Sequence, residues 1–190
     1  MRINEVIYFS PSTKMIDLDF NNKDMILKSF RERIDEFYFE PIKILNNSNK
    51  AFAAGTLIVS LIDIFANYSI GGKTGYRYRN WLKDNIDIEK NLQDDIYKYY
   101  RNGLIHEGFI KEGGEFSYEI SESFVTVDLN SKTVMIINPK MMEEELKRYF
   151  EDYIAKLVTD RSLYEKFIST FKSQFQSEYA LLRNETRGRG

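Results

Sequence analysis

The spacing of apolar side chains along the chain predicts a mainly helical protein. Apolar residues recur every three or four positions, as they do on the buried face of a helix. The stretches with this period are residues 24–45, 51–68, 89–107 and two more within 140–186. Pro41 predicts a kink or a new turn in the first stretch, and Pro139 stands where the first turn of a helix tolerates proline. We therefore expect a helical bundle.

A period of two replaces the helical period after residue 109. Residues 116–120 alternate apolar and polar side chains after Gly113-Gly114, and residues 124–129 and 133–137 form a second alternating pair. These patterns predict a small antiparallel β meander inserted after the helix that ends at Glu107. The predicted organisation is one domain over residues 1–190, with an N-terminal arm (1–22), core helices (24–107), the meander (109–138) and C-terminal helices (140–186).

The stretch 51–68 is the most apolar, and its polar residues form one narrow stripe. Thr56, Ser60, Asp63 and Asn67 are spaced by four, three and four positions, which places them on one face of a helix. A helix that is apolar on its other sides belongs at the centre of a bundle, so we expect Asp63 to be partly buried and paired. Two roles stay open for Asp63: orienting catalytic side chains, or a structural ion pair.

A loop over residues 69–75 leads into a run of alternating basic and aromatic residues, from Tyr76 to Trp81. Lys73, Arg77 and Arg79 are candidates for gripping the phosphates of RNA, next to aromatic rings that can stack on bases. The same run can also begin a helix whose aromatic side chains pack in the core, which is the favoured role for Trp81. We therefore predict phosphate contacts for the three basic residues only.

Composition narrows the available chemistry. The chain has 190 residues, no cysteine and one histidine, His106, so a thiolate site or a multi-histidine metal centre within one chain is not expected. We expect no metal and no cofactor. The formal net charge of −2 means that any RNA contact needs a local basic patch. The first residues lack the basic and apolar regions of a signal peptide, so a cytoplasmic location without a membrane partner is expected.

The single histidine closes the segment Arg101-Asn102-Gly103-Leu104-Ile105-His106. On an α-helix, Asn102 and His106 are neighbours at i and i+4, Tyr99 extends their stripe, and Arg101 starts on an adjacent face but can reach the same patch. Gly103 weakens a helix by about 1 kcal/mol relative to alanine, which suggests close approach of a second helix, as in a dimer. These residues can also have a purely structural role. In that case His106 is favoured at the helix end by the helix dipole, and Arg101 forms a surface ion pair.

These six residues resemble the R-x4-6-H motif of the HEPN superfamily, in the form with a polar residue directly after the arginine. The resemblance covers residues 51–108 well and the rest loosely. HEPN proteins are small helical bundles, and many are metal-independent ribonucleases of defence and toxin systems. The resemblance implies Arg101, Asn102 and His106 as catalytic residues. The helix stripes add Asp63, which would face them, and Tyr99, which would lie beside them as an RNA contact. The resemblance also implies an RNA substrate, a homodimer with two motifs face to face, and in toxin systems an antitoxin partner.

Two other functions stay open. One is a non-catalytic HEPN-like module that dimerises and binds RNA, a nucleotide or a protein. The other is a helical interaction protein in which the motif occurs by chance. The intact set of Arg101, Asn102 and His106 favours the enzyme, because a module freed from catalysis has no need of it. The expected activity is a metal-independent endoribonuclease.

Overall fold

A computed structural model describes residues 2–3, 6–88, 92–111, 113–129 and 132–187 of the chain. The protein is mainly helical with a small sheet, as predicted. It contains two compact units: Met1–Phe37 with Ile154–Gly190, and Tyr38–Tyr153, which we call the site unit. One domain over the whole chain stays a prediction.

The helices and strands have the following bounds. The α-helices are α1 (Lys23–Ile34), α2 (Glu40–Asn47), α3 (Ala51–Ser69), α4 (Thr74–Asn85), α5 (Leu92–Asp95), α6 (Pro139–Thr159) and α7 (Arg161–Arg187). Two segments are π-helical, Asp35–Phe39 and Ile96–Glu107, and the second of these is called the motif helix below. A short 3₁₀ turn covers Met15–Asp17. The strands are β1 (Arg2–Ile3), β2 (Val6–Ile7), β3 (Gly114–Phe116), β4 (Phe124–Leu129) and β5 (Lys132–Ile137).

The first unit is held together by aromatic side chains. Phe30 of α1 lies 5.1 Å from Phe167 of α7, and Phe9 lies 5.2 Å from Phe171, measured between ring centroids. All four rings are at most 2% exposed. The side chain of Asn22 accepts a hydrogen bond from Met25 N–H at 3.0 Å and caps α1, where helix donors lack partners. In the apolar stripe predicted for the last helix, Phe167, Phe171 and Phe175 are core.

Helix α3 is the central helix of the site unit, as its composition predicts. Ile58, Val59 and Leu61 are fully buried, and Phe65 stacks on Phe150 with ring centroids 5.5 Å apart. Among the described residues α3 is long and apolar enough to cross a membrane, but half of its most apolar 18-residue window is buried inside the protein. A buried core helix meets the same criterion, so its length and composition are weak evidence for a membrane.

The first predicted helix changes type just before Pro41. The α1 helix passes into the π-helical segment Asp35–Phe39, and α2 then begins with Pro41 in its first turn. Asp35 and Phe39 both keep right-handed helical dihedrals, so the helical path continues, and the wider π-helical turns lie directly before the proline, which has no N–H to donate. The predicted kink or new turn at Pro41 corresponds to a change of helix type from α to π and back to α, without a break in the helix.

The sheet of the site unit differs from the predicted antiparallel meander. The β4 and β5 strands pair antiparallel, as expected, but β3 pairs parallel with β5, in the order β3-β5-β4. Strand β3 ends at Phe116, whose ring packs so tightly on α3 that a Cβ at Gly55 would lie 2.0 Å from it. Tyr118 then donates its hydroxyl to Asn46 Oδ1 at 3.0 Å, so the chain leaves the sheet before β4. The parts of the predicted turns at Glu112, Asn130 and Ser131 lie outside the described residues.

Tyr100 joins the motif helix to this sheet. Its hydroxyl accepts the N–H of Glu115 at 2.8 Å and lies 2.5 Å from the carbonyl oxygen of Met135. Burial raises the pKa of Tyr100 well above the ordinary phenol value. A neutral, fully buried phenol thus fixes the motif helix against both β3 and β5.

Candidate Arg–Asp–His site

The π-helical geometry of the motif helix brings Arg101 and His106 together. Hydrogen bonds in a π-helix run from residue i to i+5, and here the N–H of Gly108 donates to the carbonyl of Gly103. Residues five apart therefore lie closer to one face than in an α-helix, and Arg101 Nη1 is 2.8 Å from His106 Nε2. On an α-helix, Arg101 would start on a face adjacent to that of His106, as the sequence pattern predicted.

The contact between these side chains defines the proton positions of the imidazole. A guanidinium has only donors, so Nε2 of His106 is the acceptor and carries no proton in this arrangement. The neutral ring then holds its proton on Nδ1. The side chain of His106 is exposed, so an incoming substrate can reach the ring.

Asp63 bridges two arginines from the centre of α3. Its Oδ2 accepts from Arg101 Nε at 3.2 Å and Nη2 at 2.8 Å, and its Oδ1 accepts from Arg77 Nε at 3.3 Å and Nη2 at 3.0 Å. The three side chains are 15–19% exposed. The predicted pairing of a partly buried Asp63 is confirmed, and both the orienting and the structural role remain compatible with it.

The polar stripe of α3 divides into two parts with different partners. Thr56 donates its hydroxyl to Phe52 O at 2.9 Å, and Ser60 donates to Thr56 O at 2.8 Å, so both are satisfied within their own helix. Asn67, one turn beyond Asp63, accepts from Arg77 Nη1 at 2.7 Å. The part of the stripe that faces the site is therefore Asp63 with Asn67.

The three basic residues predicted to grip phosphates have different surroundings. Lys73 is exposed at the start of α4. Arg77 is enclosed by Asp63, Asn67 and Gly72 O, which takes a hydrogen bond from Nη1 at 3.3 Å. Arg79 pairs with Asp94 at the surface, and its side chain is 40% exposed. Lys73 is thus open to a ligand, Arg79 is partly exposed but paired with Asp94, and Arg77 is surrounded by protein acceptors.

Tyr97 contacts the arginines, and the sequence analysis did not select it. The Cζ atoms of Arg79 and Arg101 lie 4.6 Å and 5.8 Å from its ring centroid, within the range of cation–π attraction. The spacing of four residues between Tyr97 and Arg101 was a signal for this contact. Tyr99, which was selected, is half-buried and lines a separate cavity of about 450 Å³ with Leu92, Asp95, Gly113, Lys132, Thr133 and Met135.

A glycine is needed at position 103 because a later part of the same chain passes close to it. A Cβ at this position would lie 2.5 Å from the carbonyl oxygen of Phe109 and 3.3 Å from Lys111 Cγ. The chain turns back at Gly108, which has a φ of 73°, and passes over Gly103. The close approach expected for this glycine is therefore intramolecular, and Gly103 no longer supports a dimer.

Tyr78 lies close enough to Asp63 and Arg101 to feel their charges. It is fully buried, and its hydroxyl has no hydrogen-bond partner in the part of the chain that the structure describes. Burial raises the pKa of Tyr78 far above its ordinary value, and the charge of Asp63 adds to this rise. Tyr78 thus stays neutral and supplies no proton transfer near neutral pH.

The described residues contain no group of three or more histidine, aspartate or glutamate side chains that could hold a metal ion. The site therefore offers a guanidinium, an imidazole and an amide: Arg101 Nη1 also donates to Asn102 Oδ1 at 3.2 Å.

No protein-family model, no curated protein and no solved structure matches the chain. The geometry of the site is therefore the basis for a proposed function.

Proposed function

We propose that this protein is a metal-independent endoribonuclease of the HEPN type. The observation that carries the proposal is the 2.8 Å contact between Arg101 Nη1 and an exposed His106. A guanidinium stabilises the charge of a phosphorane, and imidazole exchanges protons near neutral pH because its reference pKa is about 6.5. We place the activity in the cytoplasm, in a defence, toxin–antitoxin or stress context in which an antitoxin protein can be a partner.

The proposed reaction is an internal transesterification of RNA. A general base removes the proton of a ribose 2′-hydroxyl, and the 2′-oxygen forms a bond to the adjacent phosphorus. The bond from phosphorus to the 5′-oxygen breaks, and a general acid gives that oxygen a proton. The products are a 2′,3′-cyclic phosphate and a 5′-hydroxyl. Arg101 stabilises the negative charge on the non-bridging oxygens.

Two proton transfers and one histidine per chain favour a homodimer. In a two-fold dimer the same patch meets itself, so two copies of Arg101 and His106 line one cleft. Ile105 and Phe109, which flank His106, are 42% and 53% exposed. Apolar side chains exposed at this level beside the site are the kind that a dimer interface buries.

A second candidate is the non-catalytic HEPN-like binding module. The observation that favours it is that every nitrogen of Arg101 already has an acceptor within the protein. Its Nε and Nη2 donate to Asp63, and its Nη1 donates to Asn102 and His106. A phosphate must displace the contacts of Nη1 before it can be held there. A module that only uses this network for its structure would bind RNA or a protein without cleaving RNA.

Incubation of the purified protein with tRNA and mRNA, with and without EDTA, tests the enzyme. We expect cleavage in EDTA that His106→Ala abolishes and that Arg161→Ala retains, because Arg161 lies in the first unit with 91% of its side chain exposed. Cleavage that EDTA removes and Mg²⁺ restores contradicts the proposal. RNA binding without cleavage supports the binding module.

Mixed dimers test the composite site. Wild type and His106→Ala are co-expressed in equal amounts, and native mass spectrometry verifies the mixed dimers. If both imidazoles are needed, random pairing leaves about a quarter of the activity, whereas independent motifs leave about half. Activity near half, or an active monomer, rules out a site shared between two chains.

A further inference from the structure

The two oxygens of Asp63 are divided between two arginines. Arg77 uses Nε and Nη2 on Oδ1, at 3.3 and 3.0 Å, and Arg101 uses the same two atoms on Oδ2, at 3.2 and 2.8 Å. A free arginine–carboxylate pair prefers a fork in which each of two nitrogens meets its own oxygen. Here neither arginine has that fork, because each one occupies a single oxygen.

The remaining nitrogen of Arg77 is also bound within the protein. Its third nitrogen, Nη1, donates to Asn67 Oδ1 at 2.7 Å and to Gly72 O at 3.3 Å. All three of its nitrogens thus have protein acceptors. Its side chain is 19% exposed, whereas that of Arg79, two positions later on α4, is 40% exposed. The side chain of Arg77 is therefore the less accessible of the two to a ligand from the solvent.

We propose that Arg77 is a positioning residue that sets the direction of Arg101 through Asp63. This inference rests on the proposed nuclease function. By occupying Oδ1, Arg77 prevents Arg101 from forming the two-oxygen fork. Arg101 then meets Oδ2 with Nε and Nη2, and its Nη1 points at Asn102 and His106. Without Arg77 the carboxylate is free to turn, Arg101 can turn with it, and the contact of Nη1 with His106 is no longer fixed.

The charges of this cluster agree with a site for an anion. Asp63 supplies one negative charge to two guanidiniums whose side chains are 15% and 19% exposed. One positive charge remains uncompensated within this trio, and partial burial makes such a charge costly unless an anion joins it. Both arginines are enclosed, but Nη1 of Arg101 faces His106, whose side chain is exposed, so an anion can approach the excess charge there. A phosphodiester placed beside His106 would supply the missing counter-charge.

Kinetics distinguish positioning from phosphate binding. Arg77→Met should lower kcat by about 10- to 100-fold, as loss of an outer partner of a reacting group does, while KM stays within about twofold because the phosphate grip is intact. Arg79→Met should instead raise KM and flatten the salt dependence of binding. Arg77→Lys keeps a charge on Oδ1 and should recover part of kcat. Arg161→Met is the control, because Arg161 belongs to the first unit and its side chain is 91% exposed.

A raised KM and a flatter salt dependence in Arg77→Met, with kcat unchanged, would make Arg77 a phosphate grip and overturn the proposal. Equal kcat and KM in Arg77→Met and wild type would overturn it as well. Recovery by Arg77→Lys separates positioning from a general loss of folded protein. Where Arg77→Met does not fold, Arg77→Gln is measured in its place.

A nuclear magnetic resonance measurement tests the same inference without nuclease activity. The chain has one histidine, so the nitrogen signals of its imidazole are assigned without ambiguity. At about pH 8, where an imidazole with a reference pKa of about 6.5 is mostly neutral, wild type should show the Nδ1–H form that Arg101 enforces. Arg77→Met should raise the Nε2–H fraction. An unchanged fraction in folded Arg77→Met overturns the inference, even if no RNA is cleaved and the proposed function fails by itself.

Discussion

Replacing Asp63 by asparagine should destabilise the protein far more than the loss of a surface carboxylate. The change leaves two guanidiniums, 15% and 19% exposed, without their common counter-charge. Breaking a fully buried pair costs about 3–5 kcal/mol, and exposed pairs contribute about 0–1 kcal/mol. With less than a fifth of each side chain exposed, this cluster lies nearer the buried limit. We expect the free energy of unfolding to fall by about 2–4 kcal/mol.

Urea unfolding followed by circular dichroism measures this loss. Asp94→Asn is the matched control, because Asp94 also pairs with an arginine of α4 but its side chain is 70% exposed. It should lose less than about 1 kcal/mol. In an Arg77→Met background, Asp63→Asn should cost less than in wild type, since one charge fewer is left without a partner. Similar small losses for Asp63→Asn and Asp94→Asn would refute the reasoning, because solvent would then screen the Asp63 cluster as well.

Three further predictions concern the neighbouring structure. Tyr100→Phe should lower the free energy of unfolding by about 1–3 kcal/mol, as urea titration measures, because Glu115 N–H loses its buried acceptor. Gly103→Ala should cost about 1–3 kcal/mol in the same titration, since its Cβ meets a backbone oxygen. Burial raises the pKa of Tyr78, so its contribution is complete below about pH 10 and falls above it by about 1.4 kcal/mol per pH unit. Tyr78→Phe should remove that loss from alkaline unfolding curves, and Tyr76→Phe, with Tyr76 62% exposed, should not.

Local apolar spacing predicted the helices because a helical period depends only on neighbouring residues. Ile58 and Phe65 are buried on α3, and Leu146 and Phe150 on α6, where the pattern places them. The pattern also indicated that Asp63 would be partly buried and paired. It identified His106 because there is no other imidazole. The nuclease function implied by the motif stays a proposal.

Tertiary structure decided which residues meet. Asp63 and Arg101 are 38 positions apart, and no local period encodes their contact. Strand β3 pairs parallel with β5, and Phe116 at the end of β3 packs at Gly55 of α3, so both contacts join segments that are distant in sequence. Apolar residues spaced by three or four positions do not distinguish an α-helix from a π-helix over three turns. The π-helical form of this segment is the one in which Arg101 contacts His106. Contacts between distant segments and the hydrogen-bond register of the motif helix thus assemble the site from residues that the sequence only marks as candidates.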